Sequence, residues 1–129
     1  MERPSAVTEG VRVSVRVSYS DEHSDPAQGQ WFYVYQIRIS NEGAKRVQLI
    51  SRHWVIQDAL GETREVRGAG VVGQQPVLEP GESFEYTSGC PLETPFGSMH
   101  GRYQMIDGGG REFEVEIPPF ALRRPESVN

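Results

Sequence analysis

The sequence predicts an all-β protein, an antiparallel β-sandwich of seven to eight strands of the immunoglobulin or fibronectin type III kind. Three observations carry that prediction. Apolar residues recur at every second position in almost every patterned stretch, the period of a strand with one buried and one wet face. The 14 glycines and 9 prolines fall between these runs and punctuate them as turns. No stretch shows helical periodicity, and short strands at regular spacing argue for a sandwich. Antibody domains carry a Cys…Trp…Cys arrangement. Cys90 is the one cysteine here, which favours the fibronectin-like variant. A small closed barrel is the structural alternative.

Residues 1–10 are polar, contain Pro4 and end at Gly10, and read as a loose N-terminal lead to a single domain over residues 11–122. The first strand is the clearest. Val11, Val13, Val15, Val17 and Tyr19 alternate with Arg12, Ser14, Arg16 and Ser18. A polar connection over residues 20–30 leads to a second strand from Trp31 to Ser40. Tyr33, Tyr35, Ile37 and Ile39 share one face there, while Phe32 and Val34 occupy the other. Apolar residues on both faces predict a strand covered in part on both sides.

Residues 41–45 form a hairpin connection containing Asn41 and Gly43, residue types that tolerate positive φ. The third strand, Val47 to about Gln57, has a broken alternation. Val47, Leu49 and Val55 fall on one face, and Ile50, Trp54 and Ile56 on the other. A bulge near Ser51 or Arg52 would switch the phase. Phe32 and Trp54 fall opposite the main apolar face in this strand phase and are candidates for an exposed recognition patch.

Residues 58–61 close another hairpin, and residues 62–66 give a short polar edge strand. Residues 67–82 read as a glycine-rich loop, and residues 83–89 as a strand with Phe84, Tyr86 and Ser88 on one face. Residues 91–97 read as loop. Met99, Gly101, Tyr103 and Met105 alternate, a hairpin signal stands at residues 107–110, and Phe113, Val115 and Ile117 alternate with Glu112, Glu114 and Glu116. Pro118 and Pro119 are expected to stop that last strand, Phe120 and Leu122 to pack back on the core, and residues 123–129 to form a loose tail.

Composition narrows the function. The formal net charge of −5 argues against a nonspecific nucleic-acid surface, which needs clustered Lys and Arg. One cysteine rules out an internal disulfide and a multi-cysteine zinc site. The N-terminal residues lack a secretory apolar run, and no stretch approaches the ~20 apolar residues of a membrane-spanning helix. The expected location is the cytoplasm.

The chemistry-bearing candidates centre on Gly68, Gly70 and Gly73, which have G-x-G-x-x-G spacing and follow Arg67. In dinucleotide-binding folds such glycines end a parallel strand and open a helix that holds a pyrophosphate. Here Gln74, Gln75 and Pro76 follow, and no parallel βαβ unit exists. Two readings stand. Successive N–H groups could form an anion-binding nest, with Arg52, Arg64 and Arg67 as countercharge. Alternatively, the glycines only permit positive φ and close backbone approach. His23, His53 and His100 are scattered without metal-ligand spacing. His53 reads as a satisfied, partly buried histidine. Cys90 would need a base to act as a nucleophile, and His100 is the only near candidate. Glu112, Glu114 and Glu116 read as a solvated face rather than a catalytic pair. No catalytic or metal residue is assigned.

The chain also resembles a known family. The block Gly68-x-Gly70-Val71-Val72-Gly73-x-x-Pro76-x-Leu78-x-Pro80-Gly81-Glu82-x-Phe84-x-Tyr86-Thr87-Ser88-Gly89 is similar to the ApaG family. So are Gly97-Ser98-Met99-x-Gly101-x-Tyr103, the stretch from Phe113 to Leu122, residues 31–41, and Arg52-His53-Trp54. The resemblance spans roughly residues 5–123. It implies a small bacterial protein with a fibronectin type III-like sandwich. The family's associations are with diadenosine tetraphosphate metabolism, cobalt resistance and magnesium efflux. Related domains occur in F-box proteins and in a DNA-polymerase-interacting protein, where they look like interaction modules. The family's glycine motif has been proposed to bind nucleotide or pyrophosphate. Many members carry His before the first glycine, where this chain has Arg67.

These readings lead to a non-enzymatic binding module with a protein partner. The alternative is a nucleotide- or pyrophosphate-binding protein using Arg67, Gly68, Gly70 and Gly73. No cofactor is expected, unless a nucleotide, or a Mg or Co ion held through its phosphates, binds at that loop.

Overall fold

The computed structural model describes residues 3–124. Nine strands run in chain order: β1 (Ser5–Thr8), β2 (Val11–Tyr19), β3 (Trp31–Asn41), β4 (Val47–Asp58), β5 (Thr63–Ala69), β6 (Val77–Leu78), β7 (Ser83–Leu92), β8 (Gly97–Asp107) and β9 (Glu112–Leu122). The helical content of the described residues is one 3-10 turn, Pro26–Gln28. One sheet has the order β1-β2-β3-β7 and the other β5-β4-β8-β9, with the two-residue β6 added to the start of β4. Every pairing is antiparallel. The predicted sandwich is therefore the fold.

The period-2 pattern does what strand geometry demands. Val11, Val13 and Val15 of β2 and Tyr33, Tyr35, Ile37 and Ile39 of β3 line the inner face of one sheet. They meet Leu49, Trp54 and Ile56 of β4, Met99, Tyr103 and Met105 of β8, and Val115 and Ile117 of β9. Burying each large side chain stabilises the fold by about 1.5–3 kcal/mol. Between the layers, the Tyr86 and Tyr103 hydroxyls share a hydrogen bond of 2.5 Å, which links β7 to β8 across the core. Buried Asn41 pins the β3–β4 connection. Its Nδ2 donates to Lys45 O at 2.8 Å and Leu78 O at 2.9 Å, and its Oδ1 accepts from Gly43 N at 3.0 Å.

The bulge in β4 is real and lies one residue ahead of its expected place. The register against β8 slips between Leu49 and Ser51, leaving Ile50 as the extra residue. Val47 and Leu49 before it, and Trp54 and Ile56 after it, then all face the core. This corrects the reading of Trp54 as an exposed aromatic. It is buried, edge-on to Tyr35 at 5.4 Å and to Phe120 at 5.9 Å. Phe32 is half-buried on the outer face, its ring lying where a side chain at Gly89 would stand, 2.3 Å from that Cβ position.

Several boundaries also differ from expectation. Residues 5–8 are not loose: Ser5 to Thr8 pair with Ser14 to Val11. Strand β5 extends through Gly68 and Ala69, so the expected glycine loop begins later, at Gly70. Strand β7 continues through Pro91 to Leu92. Strand β9 passes through Pro118 and Pro119 instead of stopping there. Met99 pairs with Phe120 and Gly101 with Ile117, so the two prolines sit opposite His100 in a bulge on an edge strand, where no ladder donor is required. Of the expected tail, Arg123 and Arg124 have no regular structure, although Arg124 lies 4.8 Å over the Tyr19 ring. Residues 125–129 lie outside the described residues.

The two lateral sides of the sandwich are unlike. On the β9 side, β1 and β2 pack against β9, and Glu116 N donates to Thr8 Oγ1 at 3.1 Å. On the other side β5 and β7 are both edge strands, with no backbone hydrogen bond between them among the described residues. That side is open.

Candidate functional site: the glycine turn and the open β5–β7 edge

The three glycines turn out to do three different local jobs. Gly68 is a strand residue opposite Arg52. A Cβ there would meet the Arg52 guanidinium at 2.9 Å, so glycine leaves room for that side chain to lie across the strand. Gly70 has φ +62°, and a Cβ on it would stand 2.3 Å from Gln74 O. Gly73 has φ +79° and open space around it. Between them Val72 also has positive φ, +42°. Two successive positive-φ residues joining the Val71–Gln74 bridge make a tight two-residue hairpin turn.

The donors of this segment are largely engaged inside the protein. Gly70 N donates to Ile50 O at 2.8 Å, Val71 N to Gln74 O at 2.8 Å, and Gln74 N to Val71 O at 2.9 Å. A phosphate nest needs consecutive N–H groups converging on open space. These three converge on the fold's own carbonyls. Arg67 does not stand over the turn. It lies on the outer face of β5 with Nη2 3.6 Å from Glu65, which also hydrogen-bonds His53 Nε2 at 2.6 Å. That His53 contact, first among the causes, holds the Glu65 carboxyl below its usual range. His53 is thus a partnered, largely covered histidine.

Arg52 and Arg64 point the other way. Once the bulge has shifted the phase, Arg52 shares the inner face with Trp54 and Ile56, and its partner β5 presents Gly68, Val66 and Arg64 on that face. Arg52 Nη1 donates to Ala69 O at 3.0 Å and Gly70 O at 2.8 Å, closing the turn from inside. Arg64 Nη2 reaches across the open side to Pro91 O at 3.0 Å and to Cys90 Sγ at 3.7 Å.

Two adjoining hollows follow this edge. The inner one, about 220 Å³, lies among Tyr35, Arg52, Trp54, Arg64, Ser88 and Cys90. The outer one, about 510 Å³, is bounded by Phe32, Asp58, Glu62, Arg64, Pro91 and Glu93. Sequence reasoning named Arg52 and Arg64 only as countercharge for the glycines and did not foresee this cleft. Its signal was the phase of β4. With the bulge at Ile50, Arg52 falls in line with Trp54 and Ile56.

The remaining candidates stay apart. Cys90 is buried, and burial raises its thiol pKa, the opposite of what a nucleophile needs. Its polar neighbour is Arg64, while His100 is exposed on β8. Glu112, Glu114 and Glu116 are exposed on one face, Glu114 2.6 Å from Arg102. No group of three or more His, Cys, Asp or Glu side chains among the described residues could hold a metal, and no helix is long and apolar enough to cross a membrane.

Comparison with known proteins agrees on one family. Residues 21–107 match the sequence model of the ApaG domain. The chain is 55% identical over 120 residues to Protein ApaG of Methylorubrum populi, covering 93% of this chain and 92% of that one. It is 53% identical over 125 residues to Protein ApaG of Anaeromyxobacter dehalogenans, covering 97% and 98%. The crystal structure of the protein designated ApaA from Bordetella pertussis superposes with a TM-score of 0.88 at 50% identity, covering 97% and 98%. These names carry no enzymatic activity. Matched along nearly its whole length in sequence and in fold, this chain belongs to the ApaG family.

Proposed function

We propose that this ApaG-family domain is a non-enzymatic binding module that receives an extended polypeptide segment along the open edge between β5 and β7. One observation carries the reading. Strand β5 is a seven-residue edge strand, exposed at every position but Gly68, beside a cleft between the two layers. An unpaired edge presents a row of N–H and C=O groups to an incoming strand, and neighbouring hollows take its alternate side chains. Natural edges are blunted by charged side chains, proline, a bulge or a covering element. Strand β5 carries the charges Arg64, Glu65 and Arg67, but it contains no proline, and its register against β4 is continuous from Thr63 to Ala69, so its backbone groups stay available.

The test is selection of binders from a display library of random linear peptides, followed by amide-exchange mapping of the complex. The expected result is new protection over residues 63–69. Binders whose footprint lies elsewhere, or no enrichment at all, would overturn the reading. The nucleotide alternative at Arg67, Gly68, Gly70 and Gly73 has less support, because the turn's donors are engaged internally. Calorimetric titration with ATP and diadenosine tetraphosphate tests it, and saturable binding near millimolar ligand would restore it.

A further inference from the structure

Resting on the strand-addition reading, we propose that the inner hollow is a carboxylate pocket that selects an acidic side chain on the bound segment, held by Arg52 and Arg64. The argument starts from the arginines. Arg12, Arg38, Arg46, Arg67, Arg102 and Arg111 each have a carboxylate within ion-pair distance. Arg52 and Arg64, the two that line the hollow, take part in none of the ion pairs among the described residues, a property shared by the exposed Arg16 of β2, which stands apart from this hollow. In a chain of net charge −5 that is a notable place to leave two cations together. Among the described residues, the wall holds no aspartate or glutamate.

Each guanidinium also retains donor capacity. A guanidinium carries five N–H donors in a planar fork. Arg52 uses Nη1 on Ala69 O and Gly70 O, and Arg64 uses Nη2 on Pro91 O and Cys90 Sγ. Those contacts fix the side chains, so little rotamer freedom is lost when a ligand binds. Arg52 lies in phase with Trp54 and Ile56 on the inner face of β4 and borders the hollow beside Tyr35. Ser88 adds a hydroxyl to the wall, and Trp54 and Met99 add apolar surface that strengthens charge–charge attraction.

Size and charge together indicate the kind of ligand. Whole small-molecule sites run to about 300–1,000 Å³. At about 220 Å³ the inner hollow suits one side chain, and the adjoining hollow that shares Arg64 is bordered by Asp58, Glu62 and Glu93, which disfavour a nucleotide's phosphates. It opens beside the unpaired β5 edge, where a bound strand would point every second side chain toward the layer gap.

Three pools of short capped peptides test the inference. One position is fixed as Glu, Gln or Lys, and the remaining positions are randomised. Binding to the full chain is read by NMR at the β5 amides and the Arg64 guanidinium, at low and at raised salt. The Glu pool should bind about tenfold or more tightly than the Gln pool, lose that advantage with salt, and exceed the Lys pool further. Arg64→Gln should erase the Glu preference and Arg64→Lys retain part of it, with the signals of Val13, Ile37 and Val115, core residues that do not line the hollow, unchanged in both.

Equal binding of the Glu and Gln pools with a β5 footprint would overturn the carboxylate pocket and leave strand addition standing. Glutarate binding in the hollow, dependent on Arg64 but with no pool protecting β5, would overturn the peptide selectivity and strand addition while leaving a small-anion site. No binding by any pool or by glutarate would overturn both.

Discussion

Replacing each glycine of the Gly68, Gly70, Gly73 set by alanine separates a shaped turn from a ligand cradle. The turn geometry predicts unequal costs. At Gly73 the added methyl meets nothing within 4 Å, so only the left-handed backbone, φ +79°, is unfavourable. That costs about 1–2 kcal/mol, partly offset by about 0.4–1 kcal/mol from stiffening the unfolded chain. The net loss is about 0–1.6 kcal/mol. At Gly70 the same strain applies at φ +62°, and the Cβ stands 2.3 Å from Gln74 O, a backbone atom. Relief requires opening the paired Val71–Gln74 hydrogen bonds of 2.8 and 2.9 Å. At about 1 kcal/mol each, and with the same offset from the unfolded chain, these bring the net loss to about 2–3.5 kcal/mol. In a domain of this size that lowers the thermal midpoint by roughly 6–18 °C, against only a few degrees for Gly73→Ala. At Gly68 the obstacle is the far end of Arg52, which can move, so the cost is intermediate and comes from loosening its bonds to Ala69 O and Gly70 O. Urea denaturation of the three variants with a common slope measures the differences directly. Gly70→Ala within about 0.5 kcal/mol of the parent, or Gly73→Ala as damaging as Gly70→Ala, would refute the turn argument.

Val72 is a β-branched residue held at φ +42° before Gly73, so Val72→Asn should raise stability by about 1 kcal/mol, and a fall in the urea midpoint would count against the hairpin assignment. Tyr86→Phe should strand the buried Tyr103 hydroxyl at a cost of about 1–3 kcal/mol, whereas the double variant with Tyr103→Phe should lose less than the sum of the singles. An additive double-mutant cycle would show that the 2.5 Å bond is not energetically coupled. Asp107 Oδ1 accepts from Arg111 N at 3.1 Å and Gly109 N at 2.8 Å, and these bonds depress its pKa, Arg111 first. A depressed folded-state pKa means stabilisation that is complete above the unfolded value and lost as pH falls through the folded one. Asp107→Asn should therefore flatten the stability profile below about pH 4 and leave its neutral limb parallel to the parent, and an unchanged acid limb would refute the linkage.

Strand-face parity is a local property, because successive side chains must point to opposite sides of any strand. That is why residues 11–19, 31–40, 99–105 and 113–117 could be assigned to core or solvent from the order of residues alone, and with them the sandwich. The punctuation was less local than it looked. Pro118 and Pro119 stop a strand only if the neighbouring strand demands their missing donors, and a bulge opposite His100 on an edge removes that demand. The glycine spacing named the family, but it could not reveal that Gly68 clears space for Arg52 while Gly70 and Gly73 shape a turn. Those roles are set by partners 16 residues back in the chain or across a hairpin, as with Gly68 and Arg52. The candidate site was hidden for the same reason. One extra residue at Ile50 turns Arg52 inward, and sheet order leaves β5 and β7 as facing, unpaired edges. Residue type and spacing determined which faces are apolar. Long-range pairing decided which edge stays open and which cations stand beside it, because hydrogen-bond partners on neighbouring strands are chosen by the whole sheet rather than by any one segment.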